Sequence, residues 1–422
     1  MKSQGDSCSQ QEVSSYSRSV FSGKNVSAMD RWVACKLMQL IGNPALRLKL
    51  WNNEELMSPQ KAVGTLHFHD RGSLYRVITN PDLHFGDLYS AGRISIGGNL
   101  VASMEEVYRS MQQVSKSSLI AQVITAWQKR PRTNSLNGSL NNIHHHYDLG
   151  NEFYELWLDK EAMQYTCAYY PDVEASLEEA QIAKMHHVSR KLQLKPGDAV
   201  VEAGCGWGGL ARFMAKHYGV TVRSYNISKE QVAYARNKAR EQGLDSQIEY
   251  IEDDYRNISG EYDAFVSVGM LEHVGQQQFK GLGGVIDKCL KSNGRGLVHS
   301  IGRNSPRLMN AWIEKRIFPG AYPPSIKEMM DIFEPYDLSV LDVENMRLHY
   351  AKTLEHWLQR FDENDKKISQ RFDENFTRAW RLYLAGSIAA FTTGELQLFQ
   401  IVFSRQENNQ IAWTRSHLYT QD

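Results

Sequence analysis

The 422-residue chain has no charge of either sign to spare, because 48 Lys and Arg offset 48 Asp and Glu. That balance removes the broad positive field by which proteins gather on nucleic acid, so no nucleic-acid partner is expected. Cysteine is scarce. The five residues Cys8, Cys35, Cys167, Cys205 and Cys289 are odd in number and never take C-x-x-C spacing, which argues against a disulfide framework or a structural zinc site and fits a reducing cytoplasm. No apolar run approaches the roughly 18 residues that a membrane-spanning helix needs, so any membrane contact is peripheral. The first 27 residues are polar and Ser-rich without an apolar core. They read as a disordered tail and not as a signal peptide. No Gly-Lys-Ser/Thr for a triphosphate is found.

What the chain does have is a glycine turn after an apolar strand. Val200 and Val201 lead into Glu202-Ala-Gly204-Cys-Gly206-Trp-Gly208-Gly209, and Leu210, Phe213 and Met214 follow at helical spacing. Glycines there let a nucleotide-like ligand approach the backbone at the carboxyl edge of a parallel sheet. The E-x-G-x-G pattern favours S-adenosylmethionine (SAM) over NAD or ATP. Downstream, helices at 208–218, 229–242 and 276–291 alternate with strands at 220–225, 248–251, 262–270 and 296–301, and a last strand falls at 398–403. This alternation predicts a doubly wound α/β sheet, with a mostly helical insertion from about 305 to 394 roofing its ligand edge. Ser176 and Glu179 have capping-box spacing at the head of a further helix ending near Leu192.

A chain of this length needs a second core. Apolar spacing predicts a helix from Met29 and strands at Arg47–Trp51, Thr65–Phe68 and Leu74–Val77. The expected organisation is a tail over 1–27, a small α+β domain over 28–128, a basic linker over 129–143 and the sheet domain over 144–422. His144, His145 and His146 are consecutive, so their side chains diverge, and no metal site is assigned.

Candidate site residues stand at strand ends. Asn226 ends the second strand where an acidic ribose ligand often sits; Gln231 is its substitute, although Ser228 and Gln231 also fit a capping box. Asp254 and Tyr255 follow the third strand and suit an adenine. Glu272 and His299 follow or end the next two, facing the crevice, yet either also suits a buried structural role.

Taken together and in order, HYDLGN (146–151), MQYTCAY (163–169), EAGCGWGG, Asp254-Tyr-Arg256, VGMLEHVG (268–275), HSIG (299–302), Trp312-Ile313 with Ile317-Phe-Pro319, and Gln397 to Arg405 resemble the cyclopropane-fatty-acyl-phospholipid synthases and their mycolic-acid-modifying relatives. The resemblance is close over about 144–405 and looser in Gly86 to Gly92. It implies a seven-stranded, Rossmann-like methyltransferase sheet that transfers the SAM methyl to a cis double bond of a phospholipid acyl chain. Attack by the alkene leaves a carbocation, and loss of a proton from the new methyl closes the ring. In the family, that base is thought to be a bound bicarbonate, held at positions resembling Cys167, Glu272, His299, the backbone of Ile301, and Tyr350. The implied SAM contacts are Tyr147, Tyr165, Thr166, Gly204, Gly206, Asn226, Gln231, Asp254 and Tyr255. Some relatives carry a cysteine where this chain has Ser387, which is left out of the site.

The resemblance further implies a small first domain that handles lipid or pairs subunits. It thus predicts a cytoplasmic enzyme docked peripherally on unsaturated phospholipid bilayers, with a homodimer expected. The same cation can instead yield a methylene- or methyl-branched chain. More distant readings are a small-molecule N-methyltransferase and an inactive lipid-binding protein.

Overall fold

The computed structural model describes residues 25–117 and 149–419. Tyr147, the three histidines 144–146 and the 129–143 segment lie outside the described residues. In the first unit the Ser27 hydroxyl accepts from the Asp30 N–H while the Asp30 carboxylate accepts from the Ser27 N–H, opening α1 (Ala28–Leu40). The strands β1 (Leu46–Lys49), β2 (Glu55–Met57), β3 (Gly64–Phe68) and β4 (Ile94–Gly98) make a sheet in the order β2-β1-β3-β4. Helices α2 (Arg71–Thr79) and α3 (Pro81–Ser90) lie between β3 and β4, and α4 (Leu100–Ser117) follows. The expectation of a strand at Leu74–Val77 is corrected by α2. Asp70 caps it by accepting from the Ser73 N–H, and Leu74 and Val77, three apart, are the buried pair. Four residues are too few to separate a strand's period from a helix's.

The second unit begins with α5 (Asn151–Glu155) and α6 (Leu177–Leu192), and the reciprocal Ser176–Glu179 capping box is formed. Then come β5 (Ala199–Ala203), α7 (Gly209–Tyr218), β6 (Thr221–Asn226), α8 (Lys229–Glu241), β7 (Ile248–Glu252) and β8 (Tyr262–Val268). The short α9 (Leu271–Val274) and α10 (Phe279–Cys289) precede β9 (Leu290–Gly302). After α11 (Ile326–Met329) run β10 (Leu338–Asn345), α12 (Arg347–Glu363), α13 (Asp365–Arg371), α14 (Glu374–Thr392) and β11 (Gln397–Arg405).

These strands form a seven-stranded sheet in the order β10-β11-β9-β8-β5-β6-β7, in which β11 runs antiparallel to both neighbours. The insertion over 305–394 also contains the edge strand β10, which the sequence did not predict. A bulge between Val340 and Asp342 breaks the two-residue alternation there, and Val340 and Val343 stay exposed. Helix α14 joins the two units. Arg378 donates to the carbonyls of Tyr89 (2.8 Å) and Ile94 (3.1 Å), and Thr392 donates to Glu105 (2.7 Å).

Candidate active site

At the carboxyl ends of β5, β6, β7 and β8 a cavity of about 130 Å³ is lined by Tyr165, Thr166, Gly204, Gly206, Asn226, Gln231, Asp254 and Tyr255. All described residues expected at SAM thus line one space. Gly206 has φ +51°, and a Cβ added to it meets nothing within 4 Å, so the backbone itself forms the wall there. The Asn226 amide donates to the Gly206 carbonyl (3.2 Å) and to Gln231 Oε1 (2.9 Å). Ser228 accepts from the Gln231 N–H at 3.4 Å, while the Gln231 side chain bonds Asn226 instead of closing a capping box. Asp254 is engaged by the N–H and the Nε of Arg256, both at 2.9 Å. The Tyr255 hydroxyl is buried without a hydrogen-bond partner, an opening for a ligand acceptor.

Glu202 also lines this cavity, a contact the sequence reading did not assign although this residue opens the E-x-G-x-G. Burial pushes its carboxyl up to about 7, and Ser224 donates to it at 2.7 Å. Behind Thr166, the fully buried Lys184 of α6 donates to Gln164 and, at 3.1 Å, to the Thr166 hydroxyl. Gln181, one turn earlier, donates to the Thr166 carbonyl at 2.9 Å.

A second cavity, of about 900 Å³, adjoins the first. Thr166, Gly269, Tyr165 and His273 line both. Gly269 has φ +73°, and a Cβ there lies 2.8 Å from Thr166 Cγ2. The passage between the cavities therefore depends on a residue without a side chain. The larger cavity contains Cys167, Glu272, His299, Ile301 and Tyr350, so all five positions expected to hold bicarbonate come together. Beyond them it is mostly apolar, running past Leu354, Leu382 and Ser387 to Leu37, Leu66 and Phe68 of the first unit.

Strand register sets this constellation. Glu344, Gln400 and His299 sit opposite one another on β10, β11 and β9, in line with Val268 of β8. Paired residues of adjacent strands share a face. Lys191 of α6 donates to Glu344 (2.5 Å) and to Gln400 Oε1 (2.7 Å). Lysine only donates, so this bond fixes the Gln400 amide and turns its Nε2–H toward His299 Nδ1 at 3.0 Å. Nδ1 is then an acceptor. The neutral ring must carry its proton on Nε2, which is buried and unbonded, on a residue that lines the cavity. Burial, helped by the cations of Lys184 and Lys191, keeps His299 well below its ordinary pKa and hence neutral. Burial alone would raise Glu344, but His187 and Lys191 hold it at about 2. Gln400 and Lys191 escaped the sequence reading. The available signal was one amide in the otherwise apolar run Leu398–Phe403.

Glu272 Oε1 accepts the Ile301 N–H at 2.6 Å, which occupies the backbone donor expected to face an anion. Its other oxygen, Oε2, is buried with no partner. Burial raises this carboxyl to about 7. The buried Cys167 thiol is pushed well above its usual range and donates to the Ala168 carbonyl at 3.1 Å. It is therefore a donor and not a thiolate nucleophile. Tyr350 packs edge-on against Trp357 and at a tilt against Phe391.

The sheet order, glycine turn and strand-end cavity define a SAM-dependent methyltransferase. Residues 134–401 match the model of the mycolic acid cyclopropane synthetase family, and the chain belongs to that family. The "Probable fatty acid methyltransferase" of Pseudomonas putida is 34% identical over 390 residues, 89% of this chain and 96% of that one. The cyclopropane-fatty-acyl-phospholipid synthase of Escherichia coli (strain K12) is 40% identical over 271 residues, 64% of this chain and 69% of that one. The crystal structure of mycolic acid cyclopropane synthase CmaA1 complexed with SAH and CTAB superposes with a TM-score of 0.60 at 27% identity, covering 63% of this chain and 98% of that chain.

Proposed function

We propose that the protein adds the SAM methyl to the cis double bond of an acyl chain still esterified in a phospholipid and closes a cyclopropane ring. The observation that carries this reading is the mostly apolar cavity of about 900 Å³ that meets the strand-end cavity at Thr166 and Gly269 and is lined by Glu272 and His299, each of which has a buried, unbonded polar atom, Oε2 and Nε2. SAM, when bound, supplies an electrophilic methyl, and bicarbonate supplies the base. The residues fit both groups. On the donor side, Gly206 opens backbone to a ligand and the Tyr255 hydroxyl lacks a partner. On the other side, bicarbonate has acceptor oxygens and one O–H, which match the donating His299 Nε2–H and the Glu272 oxygen.

The chain's own contribution is alignment and exclusion of water. An alkene is a weak nucleophile, so Thr166 and Gly269 must bring it into line with the methyl, and the apolar wall must keep water from the cation. Glu272, poised near neutrality, orients the base and shares its proton. No described helix is long and apolar enough to cross a membrane. A peripheral bilayer contact is supported by Met29, Trp32 and Leu40, which are 60%, 58% and 64% exposed on or at the end of α1.

The test is turnover on vesicles of dioleoyl phosphatidylglycerol in bicarbonate-depleted buffer. Cyclopropane formation is expected to fall and to return on adding bicarbonate. Unchanged turnover in the depleted buffer would remove bicarbonate from the site, and a methylene- or methyl-branched product would keep the cation but reject the ring.

A further inference from the structure

Of the charged side chains that line the acyl cavity besides Glu272, namely Asp82, Arg303, Arg307, Glu314 and Glu395, only Arg303 is buried, and this chemistry does not use it. Arg303 follows β9 directly, lines the cavity and is only 9% exposed. Its Nη1 donates to the carbonyls of Arg307 (2.9 Å) and Leu308 (2.8 Å), and its Nη2 meets the Met309 sulfur at 3.9 Å. Its Nε has no partner, and among the described residues no carboxylate is in ion-pair contact with it, since Glu395, which favours its charge from farther off, is taken up by Arg307. Arg307, which lines the same cavity and is 43% exposed, is already paired with Glu395 at 2.5 Å. Two carbonyls and a thioether do not neutralise a buried cation, and an unpaired buried charge is strongly unfavourable. A buried guanidinium without an anion, set in the wall of a ligand cavity, is a site waiting for one.

We propose that Arg303, with Arg307 beside it, binds the phosphodiester of the lipid head group and thereby fixes which carbons of the acyl chain reach Glu272 and His299. This rests on the reading that the substrate is a phospholipid. A strand rise of ~3.3 Å per residue puts the Arg303 backbone roughly 13 Å from that of His299. That span suits a glycerol ester and the carboxyl-side part of an unsaturated chain, leaving the methyl end to Leu37, Leu66 and Phe68. The guanidinium fork matches phosphate oxygens, and charge-assisted bonds of this kind are among the stronger ones.

The alternative is that Arg303 only staples the 307–309 loop. Mixed micelles of one nonionic detergent, containing either dioleoyl phosphatidylglycerol or dioleoylglycerol, separate the two roles. For Arg303→Gln the ratio of kcat/KM on phospholipid to that on diacylglycerol is expected to fall roughly ten- to hundredfold, with Arg303→Lys intermediate. Arg307→Gln, a more exposed change, is expected to lower the same ratio by a smaller factor, and SAM affinity by calorimetry reports folding. Equal losses on both lipids, or an unchanged ratio in both Gln variants, overturn the head-group site. Inhibition of wild-type turnover by millimolar inorganic phosphate that is lost in Arg303→Gln while the phospholipid-to-diacylglycerol ratio stays unchanged would assign the site to soluble phosphate and also overturn it. Wild-type protein that modifies neither lipid overturns the functional reading itself, whereas equal wild-type kcat/KM on both lipids overturns only the head-group site.

Discussion

The two cavities that meet at Thr166 and Gly269 are built on opposite plans. The smaller one takes its walls from consecutive strand ends, β5 to β8, and each stretch contributes neighbouring residues such as Gly204 and Gly206 or Asp254 and Tyr255. The larger one is assembled from residues far apart in the chain, including Leu37 of α1, Cys167, His299 of β9, Tyr350 of α12 and Leu382 of α14. A nucleotide-like donor is held by local turns that any sheet of this order supplies. An alkyl chain needs a long apolar volume, and only the docking of the first unit against α14 encloses it. One helix, α6, serves both sides, with Gln181 and Lys184 fixing Thr166 and Lys191 fixing Gln400.

If that division is real, a change on one side leaves the other intact. Glu272→Gln is expected to lower product formation on the order of 10²–10⁴-fold, the usual worth of an acid–base group. SAM affinity by calorimetry should stay within about twofold of wild type, since its cavity is untouched. Gly269→Ala attacks the passage itself, where the new Cβ meets Thr166 Cγ2 at 2.8 Å. Turnover should fall on the order of 10- to 100-fold, and Thr166→Ser, which removes that methyl, should restore part of it in the double variant.

Gln400→Glu replaces the donor facing His299 Nδ1 with an acceptor. The ring proton is expected to move to Nδ1, visible in the ¹⁵N shifts of His299, with kcat lowered about tenfold. Unmoved shifts would break the link from Lys191 through Gln400 to the site.

The smallest expected effect is on stability. Burial raises Glu272 from 4.5 to about 7 in the fold, so the native state holds this proton more tightly than the unfolded chain. Stability from this group is complete below about pH 4.5 and declines as pH climbs through 7. Glu272→Gln should therefore match wild type near pH 4 and exceed it at pH 8 by at most about 3 kcal/mol, measured by denaturant unfolding.

How far each side could be read from the chain follows from the same division. The glycine turn, Asn226, Gln231, Asp254 and Tyr255 sit within short runs whose period and punctuation are local, and they line one cavity in the structure. The first unit's share of the acyl cavity was not legible, because Leu66 and Phe68 look like any buried strand face until a partner is docked on them. Edge strand β10 was hidden by its bulge, and α2 by a four-residue window. The Gln400–His299 contact depends on cross-strand register, which no single segment encodes. Arg303, one residue past the HSIG run, gave no signal because its lack of a counter-ion is a property of packing alone.

The most direct measurement supplies SAM with a deuterated methyl to vesicles of unsaturated phospholipid and follows the label by mass spectrometry. The account predicts that deuterium enters the acyl chain as one added ring methylene, with loss of the double bond. Label appearing on soluble amines while the acyl chains remain unlabelled would contradict it.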